Sequence, residues 1–323
     1  MASIFSSTPT WSCSTIPQLV SKVFLVTGGT AGIGFGITAN LLSHNPERVY
    51  MLSELPEHAT LAKQELQKYG DVSKIEYINC DLRDLRQVDK TAKELSSKLT
   101  RLDALVCNAG CGVGVYNVSK DGLDTHFQIN HLAQMHLILT LLPLLRKTAK
   151  EHHDARIVVQ ASSLHSSAPS SVKFASVDEI NTDIGPSYLY NRSKLAQILF
   201  IRGLVQRLND GRLGPGEVAN IFANATHPGA VNTTQPDQAE EAYGLLGKVA
   251  TPIVRTFMKD PITDGCLPAL FAATAEDVKK ENITGQYITP PNKVTEPSKQ
   301  AQDQTLTDSL WALSEKILAE KLA

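Results

Sequence analysis

Residues 23–34 read V-F-L-V-T-G-G-T-A-G-I-G, a β-branched run that ends in glycines and passes into an amphipathic stretch beginning near Ile33. This is strand, tight turn, helix. Glycines at such a junction let the backbone approach a pyrophosphate, and the helix start offers free N–H groups and the positive end of its dipole. A glycine trio alone marks any tight turn. The strand-turn-helix setting near the chain start is what points to a dinucleotide site, with Gly28, Thr30, Gly32, Ile33 and Gly34 against the phosphates.

The alternation then repeats. Arg48 to Leu52, Ile75 to Asn79, Ala104 to Cys107, Arg156 to Gln160 and Val218 to Ala225 carry strand patterns. Between them, Leu61 to Tyr69, Leu85 to Leu99, about Leu123 to Lys147 and about Tyr188 to Leu208 carry helical ones. Strands alternating with helices predict an α/β fold, a parallel sheet covered on both faces that binds ligands at the carboxyl ends of its strands. The irregular Ser/Pro-rich stretch Leu164 to Ser187 breaks the alternation, and a loop of that length is expected to border the substrate. After Thr234 the chain reads as short helices, with Trp311, Leu313 and Ile317 on one face of the last. No repeat or linker divides the chain, so the expected organisation is an N-terminal arm over 1–20 and one domain over 21–323, including a substrate lid at about 235–262.

Composition removes several function classes. With 42% hydrophobic residues in 323, the chain can bury a sizeable core. Its formal charge of -2, with both signs interspersed, offers no face for a phosphate backbone or an anionic membrane, so no nucleic-acid partner is expected. The five scattered cysteines suit free thiols in a reducing compartment. Cys107 and Cys111 lack the further ligands a metal would need, so no metal is expected. The N-terminus lacks the basic start and apolar core of a signal peptide. The longest apolar run, Met135 to Leu145, is too short to span a bilayer, and a cytoplasmic location is the expectation.

Glu54 stands twenty residues past Gly34, just beyond the second strand, where an acid can hydrogen-bond ribose hydroxyls and repel a 2′-phosphate. No Arg or Lys occupies positions 53–55, which favours NAD; a solvated loop glutamate is the competing reading. Asp81, in N-C-D-L, either accepts from an adenine amino group or caps the following helix.

The T-G-x-x-x-G-I-G turn, Asn108-Ala109-Gly110, Ser163, Tyr190-x-x-x-Lys194 and Pro228-Gly229 occur in the order seen in the short-chain dehydrogenase/reductase superfamily, which the chain resembles over nearly its whole length. Thr284-Gly285-Gln286-Tyr287 before a Leu310-Trp311 helix is similar to the retinol-dehydrogenase-like branch. The resemblance implies a single-domain Rossmann fold, a doubly wound seven-stranded parallel sheet with helices on both faces. It implies Tyr190 as acid/base, Lys194 as its partner, Ser163 as donor to the substrate carbonyl and Asn130 as the residue supporting a proton relay. Asn108 would steady the fourth strand, and Val231 and Thr233 would meet the nicotinamide carboxamide and a phosphate. The branch often has a basic residue where this chain has Glu54, so its NADP habit opposes the local NAD reading.

Tyr190 and Lys194 lie four apart on a helical pattern and share a face. An ammonium there favours the phenolate of a side chain that otherwise titrates near pH 10. A hydride arriving at carbon needs a proton at oxygen, which Tyr190 can supply while a serine holds that oxygen. Ser162 is the rival to Ser163, and His165 lies close enough to touch the pocket; His126, His131 and His136 read as structural or surface residues. Asn130, in F-Q-I-N-H-L, needs a partner if buried. The leading expectation is an NAD(P)-dependent alcohol dehydrogenase or ketone reductase for a mostly apolar small molecule in specialised-metabolite biosynthesis. A catalytically inactive dinucleotide-binding regulatory or scaffold protein is the alternative. The apolar faces around 123–147 and 188–208 also raise the expectation of a homodimer, with cover by the long C-terminal tail within one chain as the alternative.

Overall fold

The computed structural model describes residues 11–231, 260–290 and 292–323. Thr233 and most of the expected lid at 235–262 lie outside them. The first half runs β1 (Val23–Thr27), α1 (Gly32–Ser43), β2 (Arg48–Ser53), α2 (Pro56–Leu66), β3 (Ile75–Asn79), α3 (Leu85–Lys98) and β4 (Ala104–Cys107). Then come α4 (Thr125–Phe127), a π turn at Gln128–Leu132, α5 (Ala133–His152), β5 (Ala155–Gln160), α6 (Val177–Ile180), α7 (Pro186–Asn209) and β6 (Ile221–Thr226). The described chain closes with α8 (Leu267–Thr274), α9 (Glu276–Lys280), β7 (Tyr287–Thr289), β8 (Lys293–Thr295) and α10 (Gln304–Lys321).

The sheet order is β3-β2-β1-β4-β5-β6-β7-β8, parallel up to β7. Its central strands are apolar at consecutive positions because both faces are buried. Leu25, Leu105, Ile157 and Val159 point into the core under α3, α5 and α7, while Val26, Val106 and Val158 point into the one under α1 and α8. Strand order reverses between β1 and β4, and the crevice at their carboxyl ends is where open α/β sheets bind ligands.

One expectation changes. The sheet has eight strands, because Lys293–Thr295 folds back antiparallel on β7. Three residues, the first two exposed, carry too little hydrophobic alternation to announce a strand. Part of the apolar surface from which a homodimer was expected is covered within the chain: α10 packs along α7, stacking Trp311 on Phe200 with centroids 5.7 Å apart. The Arg207 guanidinium lies 4.3 Å from the Trp311 ring centre and pairs with Asp308 at 2.8 Å. Leu195, Leu199 and Leu204 are fully buried. The described part of the arm also joins the domain, with Ile16 and Leu19 buried and Trp11 edge-on to Phe271.

Candidate active site

A cleft of about 820 Å³ opens at the carboxyl ends of β1 to β5, running from Glu54 and Asp81 past the glycine turn to Tyr190 and Lys194. Gly28 has φ +66, and a Cβ on Gly34 would collide with the Gly28 carbonyl and with Asn108. Only glycine lets α1 start this close to β1, so the cradle stays open for a phosphate-sized group. Asn108 donates to the Thr27 carbonyl at 3.2 Å, tying β4 to the turn. Thr30 shares a 3.0 Å hydrogen bond with the Ser53 hydroxyl, and Gly32 and Ile33 line the cleft. Val231 is buried against Gly265.

At the cleft's other end Glu54 pairs with Arg83, which also donates to Asp81 at 3.0 Å. Arg83, arriving from the loop after β3, sets a cation beside Glu54, so the absence of Arg and Lys at positions 53–55 does not by itself favour NAD. Asp81 is not the helix cap either: Asp84 accepts from Gln87 N–H and caps α3, which leaves Asp81 facing the cleft.

Tyr190 and Lys194 project from α7, which starts at Pro186, where the missing proline N–H costs no helical bond. Both are buried, and the Lys194 ammonium lies 5.4 Å from the Tyr190 ring centre. Burial pushes the Tyr190 hydroxyl up to about 12, against the opposing pull of its hydrogen bond with the Ser162 hydroxyl. The side chain is therefore a protonated phenol at neutral pH, rather than the phenolate expected from Lys194. Burial also brings Lys194 down to about 8. Its Nζ donates to the Gln160 carbonyl at 2.8 Å and to Gln197 Oε1 at 2.9 Å.

The structure brings Ser162, not Ser163, to Tyr190. Ser162 is buried and its hydroxyl also accepts from Leu164 N–H at 3.2 Å; Ser163 is exposed, its backbone N–H donating to His227 Nδ1. Neighbouring side chains leaving a strand point opposite ways, so a one-residue misassignment exchanges inside for outside. His165 supports this turn, with Nδ1 2.7 Å from the Ser162 carbonyl and Nε2 accepting from Ser298 N–H.

Asn130 is a fully partnered amide: Oδ1 accepts from Cys111 N–H, and Nδ2 donates to the Cys111 carbonyl and to Ser193. Its link to Lys194 runs instead through the main chain, where the π turn offers the Asn130 carbonyl to Gln197 Nε2 at 2.6 Å. Gln197 was missed in the sequence; its signal is a place three residues after Lys194 on the same helix face.

A family model described as short chain dehydrogenase matches residues 22–243. The chain belongs to the short-chain dehydrogenase family. The Neurospora crassa oxidoreductase bli-4, named as mitochondrial, is 36% identical to this dehydrogenase over 321 residues, covering 97% of the chain and 76% of the relative. The short chain dehydrogenase/reductase dpchH of Colletotrichum higginsianum is 31% identical over 94% of this chain and 76% of its own length. Among solved structures, the RhlG/NADP active-site complex of Pseudomonas aeruginosa superposes with a TM-score of 0.62 at 26% identity, covering 84% of this chain and 96% of that one. The protein is an NAD(P)-dependent oxidoreductase of this family, acting on a small molecule. Among the described residues no helix is long and apolar enough to cross a membrane.

Proposed function

We propose that the protein is a carbonyl reductase or alcohol dehydrogenase for a mostly apolar small molecule, set in specialised-metabolite biosynthesis in the cytosol, with Tyr190, Ser162 and Lys194 at the reacting oxygen. The observation that carries this is the buried Tyr190 hydroxyl bonded to Ser162, with the Lys194 ammonium beside it in the switch-point cleft. The open glycine cradle and the polar residues at the β2 and β3 ends fit a nicotinamide dinucleotide, which would supply or accept the hydride. Gly28, Thr30, Gly32, Ile33 and Gly34 would hold its pyrophosphate, Glu54 and Asp81 its adenosine half, and Val231 and Thr233 its carboxamide end. Residues 235–262 are proposed as the lid.

Tyr190 then works as a general acid. Its phenol keeps the proton until a substrate carbonyl oxygen, held by the Ser162 hydroxyl, gains negative charge and takes it. The neighbouring ammonium stabilises the phenolate left behind, and Gln160 and Gln197 keep that ammonium in place. In the alcohol-oxidising direction the same groups run in reverse.

For the cofactor, Arg83 removes the reason to reject a 2′-phosphate. We propose that both NAD(H) and NADP(H) bind, their balance set by competition between Glu54 and the 2′-phosphate for the Arg83 guanidinium. The NADP named in the RhlG complex agrees with a phosphate-tolerant site.

The test is a panel of ketones and aldehydes followed by reduced-cofactor absorbance, with Tyr190→Phe alongside. Turnover that falls about 10²-fold or more in the variant, with cofactor binding kept, supports the assignment. Cofactor binding without turnover on any carbonyl or alcohol favours the regulatory reading instead. The mitochondrial name of the Neurospora relative makes cell fractionation the check on compartment.

A further inference from the structure

We infer that His126 forms a ligand subsite in the cleft, accepting a hydrogen bond through Nε2 from a hydroxyl or amino group of the bound ligand. This rests on the dinucleotide-dependent reading above and adds a second recognition point to it.

His126 lies one helical turn before Asn130 and lines the same cleft as Tyr190 and Lys194. It is 2% exposed, and its Nε2 has no hydrogen-bond partner among the described residues. Buried side-chain nitrogens are normally paired, so an orphan on a cleft wall points to a partner arriving from the cleft. The other ring nitrogen is taken: Nδ1 sits 3.3 Å from Asp124 Oδ1. Asp124 is fully buried; its Oδ2 accepts from Phe127 N–H at 2.9 Å and faces the Arg192 guanidinium at 3.7 Å. With Nδ1–H donating to Asp124, the lone pair of the uncharged tautomer lies on Nε2. In that tautomer Nε2 is an acceptor and selects a donor.

The dyad is fixed to the catalytic helix. Arg192, two residues after Tyr190 on α7, also donates to the Glu179 and Ile180 carbonyls at 2.7 and 2.6 Å. Asn181, next in chain, accepts from Asp124 N–H at 2.9 Å. The spacing between His126 and Tyr190 is therefore rigid. The same cleft is lined by Val115, Val118 and Ile129 together with the polar Asn117 and Thr125. An acceptor on such a wall suits a ligand carrying a hydroxyl away from its reacting carbonyl. The adenine amino group of the cofactor is the other donor of the same chemistry.

Three readouts separate these sources. The first is the affinity of NADH and NADPH, by fluorescence titration, for the wild type, His126→Phe and His126→Gln. The second is KM for 1-tetralone and for its ring-hydroxylated derivatives with reduced cofactor saturating. The third is the ¹⁵N resonance of His126 Nε2 with NADH and with each tetralone, which needs no turnover. We expect His126→Phe to raise KM about 10-fold for a hydroxylated tetralone and leave 1-tetralone unchanged, the scale of one lost hydrogen bond. His126→Gln, which keeps an acceptor, should recover much of the loss. An equal weakening of NADH and NADPH, with the tetralones unaffected, assigns the donor to adenine. A ¹⁵N signal that moves with no ligand, or His126→Phe binding every ligand as the wild type does, overturns the subsite. Absence of turnover in the wild type counts against the proposed reaction alone, because the titration and the resonance still report on His126.

Discussion

Gln197 joins Lys194 to Asn130: its Oε1 accepts from the Lys194 ammonium at 2.9 Å while its Nε2 donates to the Asn130 carbonyl at 2.6 Å. The amide is thereby held with its oxygen toward the charge. An acceptor bonded to the ammonium favours the charged form and opposes the burial that brings Lys194 down to about 8. The group is an ammonium below that pH and neutral above it. Carbonyl reduction is therefore expected to hold steady up to about pH 8 and to fall beyond it. Gln197→Leu removes the acceptor, lowers the Lys194 pKa further and moves the falling limb to lower pH. A pH–rate profile unchanged in the variant would disprove the role given to Gln197.

The two serines give a sharp contrast. Ser162→Ala removes the hydroxyl bonded to Tyr190 and is expected to cut turnover by about 10²-fold, the scale of one lost donor at a developing oxyanion. Ser163→Ala alters an exposed side chain whose only bond to His227 comes from the backbone, and kcat/KM should stay within a few-fold. If the losses came in the opposite order, the catalytic serine would be Ser163 after all.

Cofactor choice turns on Glu54 and Arg83. Glu54→Gln frees the guanidinium and is expected to tighten NADPH several-fold with NADH little changed. Arg83→Gln is expected to weaken NADPH about 10-fold and to spare NADH, because a charge-assisted bond to phosphate is lost. The NADPH affinity of the wild type should also fall with added salt, since the pair is half-exposed. Equal effects of Arg83→Gln on both cofactors would show that Arg83 only braces the loop.

The packing of α10 on α7 shifts the expected assembly toward a single chain. Light scattering at micromolar concentration should return about 35.1 kDa. Truncation before Gln304 would strip the cover from Phe200, and the shortened chain is expected to associate or aggregate. A stable dimer of the full chain would place the interface on another surface.

Much of this was legible in the chain because it is encoded between near neighbours. The runs V-F-L-V-T and R-I-V-V-Q are strands through consecutive apolar residues. The glycines at 28, 32 and 34 announce a turn no larger residue can make, and a tyrosine four residues before a lysine shares its helix face wherever that helix goes. Those signals placed the sheet, the cleft and the Tyr190–Lys194 pair. What tertiary structure decided depends on groups distant in the chain. Arg83 reaches Glu54 only because β2 and β3 lie side by side. Gln197 meets Asn130 only because α7 crosses the π turn, and Ser162 faces Tyr190 because of where β5 ends. The cover of α7 by α10 joins positions about a hundred residues apart, a pairing that no local pattern records and only the packed core selects.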